Sequence, residues 1–222
     1  MTTRNIFSTV ALAVTLFTQA QTTVKRDITS FTKIDASGAA NISFENSTAP
    51  SLNIEGDAEE IKQIETVVKN GTLFIKTKGN FHHQFKIKLA GNGLNSLTLS
   101  GASSFVSFTP LKADAFTIRA SGASCVKMPL AAKSVHTDMD GASSIQLSGS
   151  TQELIADVSG ASDLKASDLK SAIASVTASG ASSAKVYASE KLSTNTSGAS
   201  SVKYDGNPKD ITRKNTSVSE ND

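Results

Sequence analysis

The chain has 222 residues, 38% of them hydrophobic, but aromatics are only 5% and tryptophan is absent, so any core must be narrow and filled by Val, Ile, Leu and Ala. A formal charge of +2 gives no general electrostatic reason to expect a nucleic-acid partner. A single cysteine, Cys125, excludes an intramolecular disulfide.

Residues 1–20 have the shape of a secretory signal. Arg4 is the lone basic side chain, Val10–Phe17 is the centre of an apolar run, and Thr18-Gln19-Ala20 ends in a small residue. Cleavage is expected after Ala20, which lowers the formal charge to +1 because Arg4 is the only charged residue removed. The run is short for a membrane span, which takes about 20 apolar residues. No later segment reads as a span, so the mature chain is expected to be exported, to the periplasm, the cell surface or the medium.

Gln21–Thr29 reads as a short lead, and Phe31–Phe44 as a divergent first coil around Gly38. In the next stretch, Leu52-Asn53-Ile54 alternates like a strand. Asp57 is placed to cap a short helix with Glu59 and Glu60 in its first turn, where acidic groups suit the helix dipole. Ile64–Val68 and Thr72–Lys76 flank Asn70-Gly71, a strong hairpin signal. Phe85–Leu89 gives another strand. Residues 21–95 are therefore expected to form the first coil and a hairpin-bearing cap.

From residue 96 to 206 a phrase repeats: Ser100-Gly101-Ala102-Ser103, then variants at Gly122, Gly141, Gly160, Gly180 and Gly198. The glycines are 21, 19, 19, 20 and 18 residues apart, and a period near 20 marks a solenoid. Aligned on the glycine, positions two, four and six before it and four and six after it are mainly apolar, and the columns between them mainly polar. That is strand periodicity on both sides of a corner, with one face buried. Each repeat reads as strand, corner, strand and variable linker, such as Ser148–Gln152. Equivalent strands stacked coil on coil make parallel sheets, so the fold class is all-β, a right-handed parallel β-helix (β-solenoid). The polar run 207–222, opened by Asn207-Pro208, is expected to be a flexible tail.

The first Gly-Ala coil, the hairpin region, the Ser-Gly-Ala-Ser coils and the closing Val202-Lys203-Tyr204-Asp205-Gly206-Asn207-Pro208 resemble the putative auto-transporter adhesin, head GIN domain family. The resemblance runs from about Phe31 to Pro208 and implies a β-helix-like fold and a cell-envelope or extracellular location. It supplies no catalytic residues. A literal Gly-Ile-Asn is absent, the nearest stretch being Gly38-Ala39-Ala40-Asn41-Ile42, and no translocating barrel is recognisable.

Two outward columns are candidate binding faces. Five after the glycine stand Lys127, Lys165, Lys185 and Lys203, interrupted by Gln146. This broken basic stripe suits an anionic polysaccharide or envelope phosphate, or simply keeps the rod soluble. Three before the glycine stand Arg119, Asp138 and Asp157, with His136 and Asp140 sharing their face. Paired carboxylates on a β-helix face suit polysaccharide hydrolysis, but stacking also brings like residues together for purely structural reasons. His82-His83 makes a poor joint metal site, since adjacent strand residues point to opposite faces. No zinc spacing, calcium-repeat or nucleophile-elbow motif occurs. No cofactor is implied. The expected function is a non-enzymatic, adhesin-like binding module, with a carbohydrate-active enzyme or a structural envelope protein as alternatives.

Overall fold

A computed structural model describes residues 22–79, 81–214 and 218–220. The expected signal segment, residues 1–20, lies outside them. Strands make up 65% and helix 2%, and the strands wind into a β-solenoid of about six turns.

After β1 (Thr22–Arg26), the first coil is formed by β2 (Lys33–Ser37) and β3 (Asn41–Asn46), joined at Gly38. Chain and stacking order then diverge. β4 (Ser51–Gly56), helix α1 (Ala58–Ile61), β5 (Ile64–Lys69), β6 (Thr72–Thr77) and β7 (Lys86–Gly91) fold back over the open end of this coil. β6 and β7 pair parallel with β2 and β3, while β5 and β4 close the edge antiparallel, and β1 lies outermost on β4. The Asn70-Gly71 turn has φ of 51° and 71°, the positive values a tight hairpin turn between β5 and β6 requires. Asp57 accepts from the amides of Glu59 and Glu60, capping α1 as the sequence indicates. Arg26 ties the lead to this cap by donating to the carbonyls of Ile61 and Ile64.

On the other side of the first coil the repeats stack in order. β8 (Ser96–Leu99) and β9 (Ser104–Ser107) are followed by the longer β10 (Leu111–Ala120), β11 (Cys125–Met139), β12 (Ser144–Val158) and β13 (Asp163–Ala178). β14 (Ser183–Tyr187), β15 (Lys191–Thr196) and β16 (Ser201–Asp205) continue the stack. Pairing is parallel from coil to coil, and the columns read from the sequence are register partners: Val126 with Ile145, Leu154 with Ala174, Thr137 with Ala156.

Two features differ from expectation. The linker is not irregular: Leu111 pairs with Leu130, Leu130 with Gly149 and Gly149 with Leu169, giving a third parallel ladder whose leucines are buried. A register shift between Gln146 and Ser148 accommodates the extra residue in β13. The expected tail also continues the fold. β17 (Asp210–Lys214) pairs with β15, and β18 (Val218–Glu220) with β16, because the chain re-enters both ladders after Pro208.

The repeated phrase is a structural device. Successive corners bond through their backbones: Ala123 N donates to Gly101 O, Ala142 N to Gly122 O and Ala161 N to Gly141 O, at 2.7–2.8 Å. The alanine is exposed, whereas the serine after it points inward: Ser103, Ser124, Ser143, Ser162, Ser182 and Ser200 are buried. Their hydroxyls meet groups at the corners; Ser103 donates to Ser100 O (2.9 Å) and Ser200 to Ser197 O (2.8 Å). Such partners offset the cost of burying a hydroxyl.

Candidate binding faces

The acidic face stands on the strand before the corner. Parallel pairing stacks Thr98, Arg119, Asp138, Asp157, Thr177 and Asn195 in one outward column. Arg119 Nε lies 3.9 Å from Asp138 Oδ2, and His136 Nε2 lies 3.9 Å from Asp157 Oδ2. Each aspartate therefore has a basic group one coil earlier. Asp140 accepts from Ser159 Oγ at 3.2 Å. The Asp138 and Asp157 side chains are 55% and 51% exposed, on an open sheet surface.

The basic face stands on the strand after the corner. Lys127, Gln146, Lys165, Lys185 and Lys203 are successive register partners. All four lysines are exposed, and adjacent strands lie about 4.8 Å apart. Lys165 has an ion partner, Asp163 at 3.1 Å, but Lys127, Lys185 and Lys203 have none among the described residues. Like charges directly opposite each other on a sheet repel, so the column is a standing positive potential that an anion would relieve.

The column extends further than the repeats indicate. Lys127 pairs with Val106, Val106 with Ser43, Ser43 with Lys88, Lys88 with Asn53 and Asn53 with Lys25. Lys88 is bound to Glu55 (2.5 Å), while Lys86 projects beside it. These cap lysines lie outside the aligned phrase, so sequence columns do not reveal them. Phe108 was also missed. It falls seven after Gly101, and the alternation that turns Phe105 and Ser107 inward turns Val106 and Phe108 outward. Phe108 is 80% exposed.

His82 and His83 sit over Glu60. Their amides donate to the Glu60 carboxylate, at 2.6 Å from His82, and the His83 ring Nδ1 lies 3.3 Å from the same oxygen. Among the described residues no group of three or more His, Cys, Asp or Glu is arranged to hold a metal ion. Cys125 is an exposed free thiol at a repeat position where Ser104 and Ser144 stand in the neighbouring coils.

The fold defines a parallel β-solenoid with a folded-back N-terminal cap. The chain belongs to the family described as "Putative auto-transporter adhesin, head GIN domain", which matches residues 30–208. A crystal structure of a putative adhesin from Bacteroides fragilis shares the fold, with TM-score 0.83 and 24% identity over 91% of this chain and 94% of that one. A putative adhesin from Parabacteroides distasonis gives TM-score 0.73 and 23% identity over 91% and 98%. A protein from the same organism titled a putative lipid binding protein gives 0.70 and 22% over 91% and 97%. No curated protein shows significant sequence similarity to the chain. Among the described residues no helix is long and apolar enough to cross a membrane.

Proposed function

We propose that this is an exported, non-enzymatic binding module of the cell envelope or extracellular space, and that its lysine face holds an acidic polysaccharide of a cell surface. The observation that carries this reading is the register of Lys127, Lys165, Lys185 and Lys203 down one outward column, three of them without an ion partner among the described residues. A row of charges at the coil spacing suits a linear polyanion, because each repeat unit of an extended chain meets a fresh coil. Family membership supports the adhesin-like part of the reading, and the Arg4–Ala20 signal shape supports export, with a mature N-terminus at Gln21. The test is a polysaccharide array probed with the secreted protein. Retention on uronate-rich, sulfated or phosphate-bearing glycans over their neutral counterparts is expected; equal binding to neutral glycans, or none to any glycan, overturns the reading.

Hydrolysis on the Asp138, Asp140 and Asp157 face is the weaker reading. The cross-coil partners Arg119 and His136, and the open setting of the aspartates, favour a structural ladder.

A further inference from the structure

Phe108 interrupts the lysine face with the most exposed large apolar side chain among the described residues. The turn that carries it is fastened from both sides. Ser107 Oγ donates to Thr109 O at 2.9 Å, and Asn46 N donates to Thr109 Oγ1 at 3.3 Å, before Pro110 leads into β10. The ring is thus displayed in a fixed place, at the apolar surface cost such exposure carries.

A depression lies on each side of the ring. One, of about 300 Å³, is lined by Lys86, Lys88, Asn41, Ser43 and Val106 together with Phe108. The other, of about 170 Å³, is lined by Lys127, Gln146, Ser148 and Pro129 on the opposite flank of Phe108. Both combine an aromatic wall, cationic groups and directional amide or hydroxyl groups. That combination matches a sugar ring bearing an acidic substituent: the C–H face packs on the aromatic ring, a lysine meets the carboxylate or sulfate, and amides and hydroxyls meet the sugar hydroxyls.

We propose that Phe108 is the stacking platform of an acidic-saccharide subsite, with Lys86 and Lys127 as its charged flanks. The proposal rests on the lysine-face reading and deepens it, by marking where along the rod the polymer is gripped rather than merely attracted. Lys127 belongs to the basic column, so a chain held at Phe108 runs on towards Lys165, Lys185 and Lys203. A bilayer is the less fitting occupant. Stable interfacial anchoring takes more than one apolar signal, this ring stands alone in its turn, and Asn41, Ser43, Gln146 and Ser148 supply directional groups that lipid tails cannot use.

The experiment is calorimetric titration of the secreted protein with galacturonate and chondroitin-sulfate tetrasaccharides, with the corresponding long polymers, and with phosphatidylglycerol vesicles. Phe108→Ala and Phe108→Leu are the variants; Phe108 is exposed, so both retain the fold, which circular dichroism verifies. The expected result is tetrasaccharide binding that both variants weaken by about tenfold or more. Tetrasaccharide binding that Phe108→Ala leaves unchanged overturns the platform. So does binding of the long polymers alone, although the lysine face then stands. Binding to neither tetrasaccharide nor polymer removes the lysine-face reading as well. Vesicle binding that depends on Phe108, without saccharide binding, reassigns the ring to a membrane.

Discussion

A Cβ on Gly141 would lie 2.7 Å from the carbonyl oxygen of Gly122 and 2.9 Å from its nitrogen. Both glycines have φ near +75°, and the Gly122 carbonyl accepts the Ala142 amide at 2.7 Å. The corner is thus held to glycine by backbone conformation and by the coil above it. Gly141→Ala is expected to destabilise the solenoid by about 2–4 kcal/mol. Ala142→Ser, at the adjoining exposed position, should stay within about 0.5 kcal/mol of wild type. Urea melts of the two variants check the contrast, and similar midpoints would contradict it.

Thr137 occupies an inward column between Ile118 and Ala156, and its buried hydroxyl has no hydrogen-bond partner among the described residues. Thr137→Val keeps the shape and removes the stranded polar group. A gain of about 1 kcal/mol is expected in chemical denaturation. A loss would show that the hydroxyl is satisfied in solution.

The solenoid was readable because its corner is marked by an invariable glycine and its strands keep strict alternation around it. The Asn70-Gly71 hairpin and the Asp57 cap were readable for the same reason: each is a local device with its own residue chemistry. The third ladder was not: Leu111, Leu130, Gly149 and Leu169 all stand eleven before the following glycine, but the buried strand column stands six before it, an odd step away, so the inward alternation changes phase within the linker. The antiparallel closure by β4 and β1 is set by long-range pairing, with no local signal. β17 was lost for a different reason: all its side chains are exposed, so it joins the sheet through backbone bonds without apolar alternation. Of the candidate face, the repeat lysines were legible, while Lys25 and Lys88 entered through the cap. Phe108 could have been found by carrying the alternation two residues past Val106.

Glu60 is buried beneath the loop that carries His82 and His83. Burial alone would raise its carboxyl, but the two backbone amides, with the His83 ring, outweigh burial and hold it below the ordinary glutamate range. A carboxyl lowered in the folded state contributes stability that is present above its unfolded value and is lost as pH falls through the folded one. The loop should therefore keep its protection at neutral pH and lose it only below about pH 4.3. Hydrogen exchange at the His82 and His83 amides reads this directly. Glu60→Gln should raise their exchange at pH 7; unchanged protection would mean the carboxylate does not hold the loop.

Asp138→Asn and Asp157→Asn remove one member each of exposed cross-coil contacts. Exposed pairs contribute roughly 0–1 kcal/mol, so the melting temperature should hardly move. A polysaccharide-degradation screen is expected to show no turnover by wild type. Reproducible cleavage that both variants abolish would instead make this face an active site.

The central claim is that the lysine column binds a polyanion, and removing its charge tests it most directly. Lys165, Lys185 and Lys203 are stacked partners on three successive strands and are exposed. The measurement is the affinity of the secreted protein for an acidic polysaccharide, as wild type and as the triple variant Lys165→Gln, Lys185→Gln, Lys203→Gln, across a salt series. The account predicts a melting temperature no lower than wild type, since repulsion between the stacked lysines is relieved, an affinity at least about tenfold weaker in the variant, and a shallower salt dependence, because fewer screened contacts remain. Equal affinity and equal salt dependence in the two proteins would contradict it.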